Sequence, residues 1–204
     1  MGVFDVNCLE SSLLNDLVGI EFPICQAPMA GGATTPEMAA AVSNAGGLGC
    51  LGVGYLSAEK IREDIQAVRR LTDRPFGVNL FVPDAAAPDP LSARKALDVL
   101  APYHQELGLP APEIPNRFAE SFEAQVEVLL QENIPVFSFT FGIPDPAILT
   151  AFKDAGTIVV GTATTVGEGR LLKAAGVHGI VAQGVEAGGH RGTFDGDCED
   201  ALLG

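Results

Sequence analysis

The chain has 204 residues, with 12 Lys and Arg against 26 Asp and Glu, for a formal net charge of −14. This acidity argues against a nucleic-acid partner, because phosphate neutralisation needs clustered cations and no basic run exceeds Arg69-Arg70. Hydrophobic residues make up 47% and charged ones only 19%, below the roughly 25% of an average soluble domain, so much of the chain is expected to be buried. The 24 Gly and 14 Pro are scattered as turn punctuation and do not form a low-complexity tract. Met1–Val6 shows no signal-type core, and no apolar run approaches the ~18 residues of a membrane span. Cys8, Cys25, Cys50 and Cys198 contain no C-x-x-C and the chain no N-x-[ST] sequon, so a reducing cytoplasm is expected, without a zinc site or disulfide scaffold.

The elements follow in a regular rhythm. A first strand is expected within the short apolar run Glu21–Met29, closed by Gly31-Gly32. A helix then opens at Thr35-Pro36-Glu37, with Thr35 as N-cap and Pro36 at the first helical position, and runs to about Asn44. Leu48–Gly54 reads as a small-residue strand. Ser57 caps a helix with Ile61, Ile65 and Val68 at helical spacing, and Phe76–Val82 is a third strand. Residues 83 to about 120 break the rhythm: prolines surround a helical stretch from Leu91 to about Leu107, as in an insertion lying over one face of the fold. The rhythm returns with a helix over Ala119–Gln131, a strand over Val136–Gly142, a helix over Pro146–Ala155, a strand over Thr157–Thr162, a helix over Val166–Ala175 and a strand over Gly179–Glu186. Three helix exits, Ala45-Gly46, Ala155-Gly156 and Ala175-Gly176, place a Gly where a left-handed C-cap turns the chain into the next strand. Strict alternation with near-continuous apolar strands predicts an α/β fold with a parallel sheet, either a barrel or a doubly wound layer.

Gly47-Leu-Gly49-Cys-Leu-Gly52 matches a dinucleotide-binding pattern, with Asp73 at about the right distance. Its context is wrong, because these glycines follow a helix and enter a strand, whereas the mechanism needs them at a helix N-terminus. Gly188-Gly189-His190-Arg191-Gly192 directly follows the sixth strand, the position where the loops of a β/α barrel carry chemistry. An imidazole there can accept a carbon-bound proton or, when protonated, hold an anion. Gln26-Ala27-Pro28-Met29, Asn79 and Gln183 have the same kind of address, and a strand amide needs partners that a ligand can supply. His104 and His178 read as solvated, and Asp195, Asp197, Glu199 and Asp200 as an acidic, metal-free tail. No G-x-S-x-G, P-loop or H-E-x-x-H occurs.

Five ordered segments carry a resemblance: Pro23–Gly32, Ala45–Gly49, Phe76–Phe81, Val136–Gly142 and, most specifically, Ala182-Gln-Gly-Val-Glu-Ala-Gly-Gly-His-Arg-Gly192. Together they resemble the nitronate monooxygenase family, formerly called 2-nitropropane dioxygenases, from about Phe22 to Phe194. The resemblance implies a TIM-type (β/α)8 barrel that binds FMN and a flavin-dependent oxidoreductase that oxidises alkyl nitronates with O2 to a carbonyl compound and nitrite. It implies Ala27, Pro28 and Met29 against the flavin ring, Asn79 and Gln183 hydrogen-bonding it, backbone from Gly188 and Gly189 facing it, and His190 as the catalytic histidine. Where some relatives carry a second His this chain has Thr140, which supplies only a neutral hydrogen bond to substrate. An FMN-dependent enoyl-ACP reductase shares much of the signature, and a barrel fragment that retains no flavin is the non-catalytic alternative.

Length then becomes informative. Only 14 residues follow His190, too few for two further β/α units at roughly 30 residues each. The expectation is a single partial barrel domain over 1–204 with about six of eight units, its Pro-rich insertion at about 83–120, and open sheet edges that invite self-association. The expected partners are a nitronate or nitroalkane and O2, with neither nucleic acid nor membrane.

Overall fold

The computed structural model describes residues 13–83, 89–114, 118–196 and 203–204. Met1–Val6, Cys8, Cys198, Pro88, Pro115, Asp197, Glu199 and Asp200 lie outside them. The chain divides into two compact units, Met1–Pro83 with Ser121–Gly204, and Asp84–Glu120.

In chain order the elements are α1 (Leu13–Val18), α2 (Pro36–Asn44), β1 (Gly49–Gly52), α3 (Ala58–Leu71), β2 (Phe76–Phe81), α4 (Pro90–Glu106), α5 (Phe122–Gln131), β3 (Val136–Thr140), α6 (Pro146–Asp154), β4 (Ile158–Ala163), α7 (Val166–Ala174) and β5 (Gly179–Ala182). Among the described residues the smaller unit holds one helix, α4, capped by Asp89 on Leu91 and Ser92, with Pro102 inside it and none of its residues buried. No helix among the described residues is long and apolar enough to cross a membrane.

The five strands are all parallel and lie in the order β1-β2-β3-β4-β5. A doubly wound sheet would reverse its strand order at a switch point. Here there is no reversal, and residues from α2, α3, α5, α6 and α7 all join Leu51, Val78, Leu80, Phe137, Phe139 and Val159 in one core on a single face of the strands. That is the arrangement of a β/α barrel, present here in part.

Local signals explain the elements. Thr35 accepts from Met38 N at 3.2 Å and Ser57 from Lys60 N at 3.3 Å, the two caps expected from sequence. Gly46, Gly156 and Gly176 have φ of 94°, 79° and 74°, so the helix exits are left-handed as predicted. At α6 the exit also satisfies orphan carbonyls, with Gly156 N donating to Lys153 O and Thr157 N to Phe152 O, both at 2.9 Å.

Three expectations are corrected. The strand expected within Glu21–Met29 is reduced to one bridge, Cys25 to Leu48. Leu48 N donates to Ile24 O and Gln26 N to Leu48 O, but the next rung, from Cys50 N, goes to the Gln26 side chain at 3.0 Å, and Pro28 has no N–H with which to resume the ladder. The last strand stops at Ala182 and not Glu186, because β4, its only neighbour among the described residues, ends at Ala163 where Thr164 and Thr165 turn into α7. The helix expected from Ala119 starts at Phe122, since Ser121 caps it by accepting from Ala124 N.

The other strand face is divided along its length. Toward the strand N-termini, Cys50 and Val136 pack against Val18, Ile20 and Leu48, with Leu14, Ile158 and Val160 around them, so α1 and the residues after it plug that end. Burial pushes the Cys50 thiol up to about 12, with neighbouring Cys25 adding to the shift, so this inner thiol stays protonated and inert at neutral pH. Toward the strand C-termini the same face turns polar.

Phe152 on α6 stacks on Phe137 at 4.2 Å between centroids, and neither is exposed. Replacing Phe152 with Ala is expected to lower unfolding free energy by about 3–5 kcal/mol in urea denaturation, since a close-packed site between a strand and a helix cannot collapse to fill the space.

Candidate active site

Parallel register sets Gly52, Asn79, Ser138 and Val160 side by side across four strands. Asn79 is buried, and its Nδ2 donates to Ser138 Oγ at 3.0 Å and toward Thr140 Oγ1 at 3.5 Å. Two residues further along, Phe81 pairs with Thr140 and, on the next strands, Thr162 with Val181. The upper inner face is therefore a patch of amide and hydroxyl groups at the carboxyl ends of the strands.

Two segments close over this patch. At the β1 side, a Cβ on Gly52 would stand 2.7 Å from Met29 C and Ala30 N, so only Gly lets the segment after Pro28 rest on the strand. Thr34 fixes that segment by accepting from Met29 N at 3.0 Å and from Gln26 Nε2 at 3.3 Å. Ala27 and Met29 are exposed and Pro28 is half-buried. At the β5 side the loop after Ala182 folds back across β3 and β4: a Cβ on Gly192 would meet Thr140 Cγ2 at 2.9 Å and Thr162 Cγ2 at 3.4 Å.

Gln183 organises this loop. Its Nε2 donates to His190 O at 3.0 Å, its Oε1 accepts from Gly192 N at 2.8 Å, and its own carbonyl accepts from Arg191 Nη1 at 2.9 Å. Gly188 and Gly189 are exposed with open space where a side chain would be, and Gly189 has φ of 83°. His190 is exposed and meets Phe141 edge-on, with centroids 6.3 Å apart at 86°.

The structure thus brings Asn79, Thr140, Gln183 and His190 to one end of the sheet, with Gly188 and Gly189 in the same loop as His190 and Ala27–Met29 at the β1 edge of that end. His178 is absent from this cluster, and His104 belongs to the smaller unit. His178 is exposed, and its Nδ1 accepts from Val159 N at 2.9 Å in a turn at the opposite strand ends, while His104 Nδ1 pairs with Pro110 O at 2.6 Å in the smaller unit. Gln26 is occupied by the β1 backbone and by Thr34.

Sequence reasoning missed two features. Phe141 has φ of 71°, a left-handed conformation that is rare for a bulky residue, and its ring lies 5.1 Å from Phe81, itself 5.3 Å from Tyr55. No sequence signal marks it. Glu168 on α7 is fully buried, and its carboxylate accepts from both ends of the site's surroundings: Thr164 and Thr165 on one oxygen, Phe194 and Asp195 on the other. Burial opposes its ionisation, but the Phe194 amide, the Thr164 amide and hydroxyl and the Asp195 amide outweigh that and hold the carboxyl below the usual range. The capping-box spacing Thr165-x-x-Glu168 was its signal.

The convergence of these motifs can be set against known proteins. A sequence profile described as nitronate monooxygenase matches residues 11–203. The chain belongs to the nitronate monooxygenase family. It is 44% identical over 191 residues to a nitronate monooxygenase of Paraburkholderia phytofirmans, covering 92% of this chain and 52% of that protein. It is 41% identical over 181 residues to a probable nitronate monooxygenase of Staphylococcus aureus, covering 89% of this chain and 51% of that protein. Among solved structures it is similar to nitroalkane oxidase from Streptomyces ansochromogenes, with a TM-score of 0.84, 42% identity, and coverage of 93% of this chain and 53% of the other. The chain thus spans about half the length of the curated relatives it matches.

The two kinds of glycine in the loop make opposite predictions. Gly192→Val puts carbon against the Thr140 methyl and is expected to cost about 1–3 kcal/mol in urea denaturation. Gly188→Ala meets nothing within 4 Å, and its expected effect stays within about 0.5 kcal/mol.

Proposed function

We propose that this chain forms the flavin-facing and substrate-facing mouth of an FMN-dependent nitronate monooxygenase. What supports this most is one juxtaposition: the loop bearing His190 is packed through Gly192 onto Thr140 and Thr162, over the amide and hydroxyl patch of Asn79 and Ser138. The donor set fits a flavin ring. An isoalloxazine edge alternates donors and acceptors, and Asn79, Gln183 and Thr140 can supply both. The open space at Gly188 and Gly189 leaves backbone N–H groups able to approach a flat ligand closely. In this proposal Ala27, Pro28 and Met29 lie against the ring, Asn79 and the second N–H of Gln183 hydrogen-bond it, and Gly188 and Gly189 face it with their backbone. FMN, when bound, supplies the electron acceptor and the reaction with O2.

The chain's own residues bind and orient the substrate and move its proton. A nitronate is an anion, and the protonated imidazole of His190 holds its oxygens by a charge-assisted hydrogen bond. With a neutral nitroalkane, the unprotonated imidazole accepts the α-carbon proton and is left as the cation that pairs with the nitronate formed. Thr140 offers a hydroxyl to a nitro oxygen, and the Phe141 and Phe81 rings offer an apolar wall to the alkyl group while excluding water.

Purified protein supplied with FMN is expected to retain flavin absorbance after desalting and to release nitrite from a short alkyl nitronate in air. His190→Asn should lower that release by about 10²-fold or more with FMN retained. Undiminished turnover in this variant would overturn the assignment of His190. Crotonyl-thioester reduction by NAD(P)H without nitrite release would assign the chain to the enoyl-ACP reductase reading.

We also propose that the chain self-associates at its β5 edge, where Ile180 and Val181 are 42% and 50% exposed on a strand that, among the described residues, is paired on one side. Sedimentation is expected to show concentration-dependent association that Val181→Lys weakens. A chain that remains monomeric at high concentration would exclude it.

A further inference from the structure

Glu168 lies outside every role assigned above, yet no other acidic side chain among the described residues is buried. At the third position of α7 it completes a capping box, with Thr165 Oγ1 accepting from Glu168 N at 3.1 Å and Glu168 Oε2 accepting from Thr165 N at 3.2 Å. That task needs one carboxylate oxygen. Oε2 also accepts from Thr164 N at 2.5 Å and Thr164 Oγ1 at 2.8 Å, while Oε1 turns away from the helix and accepts from Phe194 N at 2.6 Å and Asp195 N at 3.1 Å, residues 26 and 27 positions later. A side chain that capped only its own helix would have no such donors.

Phe194 and Asp195 end the loop that begins at Gln183. Gln183 fastens the loop's middle through His190 O and Gly192 N, and Glu168 fastens its far end. A bond of 2.9 Å between the Thr164 and Thr193 hydroxyls lies between the two anchors, and Phe194 packs on the main core. By contrast Gly188 and Gly189 touch nothing on the side where a Cβ would stand, and the hydrogen bonds before them, Val185 N to Leu203 O at 2.7 Å and Ala187 N to Gly184 O at 3.1 Å, do not reach the imidazole. His190 sits between this open glycine pair and the anchors.

We infer that Glu168 is a positioning residue for His190, its carboxylate clamping the α7 N-terminus to the end of the His190 loop and so holding the imidazole over the strand mouth. This rests on the reading of His190 as the group that meets substrate. Chemistry makes the charge necessary. A carboxylate only accepts, and all five of its partners donate. A glutamine of the same shape must present its NH2 either to the Thr164 and Thr165 amides or to the Phe194 and Asp195 amides, so one half of the clamp is lost whichever way it turns.

The test is hydrogen exchange of the intact protein, read peptide by peptide, beside nitrite release from the FMN-supplied protein. Glu168→Gln is expected to speed exchange of residues 190–195 by about tenfold or more, with the β3 and β4 peptides unchanged, and to lower kcat with little change in KM. Thr165→Ala breaks only the helix-side half of the capping box and should leave exchange at 190–195 and kcat near wild type. Should Glu168→Gln fail to fold, Thr193→Val removes the hydroxyl link alone and is expected to act in the same direction by a smaller factor. Unchanged exchange at 190–195 in the folded variant overturns the proposal, as does acceleration spread evenly over the sheet. If His190→Asn leaves nitrite release intact, the functional reading falls instead, and the exchange pattern still decides whether Glu168 holds the loop.

Discussion

Parallel register is the constraint from which the rest of this molecule follows. With Asn79 opposite Ser138, and Phe81 opposite Thr140, alternate residues divide: Val78, Leu80, Phe137 and Phe139 enter the helix-covered core, while Asn79, Ser138 and Thr140 face the other side together with Phe81 at the rim. A slip of one residue would send the amide and hydroxyls into an apolar layer and Phe137 and Phe139 into the mouth. Each buried polar group left without a partner would cost about 1–3 kcal/mol, and each misplaced phenylalanine would lose its packing besides. The hydrophobic layer thus fixes the geometry of the polar one. The polar groups at the strand ends are positioned by residues on the opposite face of the sheet.

The His190 loop shows how a mobile sequence is held still. Two glycines leave its backbone open, and that openness removes contacts. Fixed points are therefore supplied from both sides, an amide from the end of β5 and a carboxylate from the start of α7. Neighbouring Phe141 stands in a left-handed conformation that costs on the order of 1–3 kcal/mol, and it persists because its ring is caught between Phe81 and His190. Local strain and sparse contacts coincide with the residues proposed to meet substrate, while the stiff core lies beneath them.

How much of this was legible depended on whether a local pattern carried the information. Thr35, Ser57 and the Ala-Gly exits are local devices, and the helices begin and end where those devices put them. Asn79, a polar residue on an otherwise apolar strand, could be assigned to a strand end by counting along the element, whereas Thr140 was marked only by the family resemblance. The first strand failed because its pairing depends on one side chain replacing a backbone rung, an event that apolar composition does not reveal. Helix α1 went unread because six residues give too little periodicity, and its value lies in plugging the far end of the sheet. Glu168 carried a visible capping signal, but its second oxygen finds partners beyond the next strand, which no local spacing encodes.

The two sheet edges differ in kind. Beyond β1 the Pro23–Pro28 segment occupies the ladder and ends it: two prolines lack N–H groups, and the Gln26 amide takes the one rung a further residue would have filled. Another strand gains little by approaching there. β5 has no such block over Gly179–Ala182, its Ile180 and Val181 are half exposed, and the Val185 amide already donates to Leu203 O just beyond it. Because β5 leads directly into Gln183, whatever pairs with this edge is one residue from the side chain that holds the His190 loop. The exposed edge and the anchor of the His190 loop are thus neighbours in sequence as well as in space, since Gln183 N donates to Ala163 O at 2.8 Å directly after the last β5 residue.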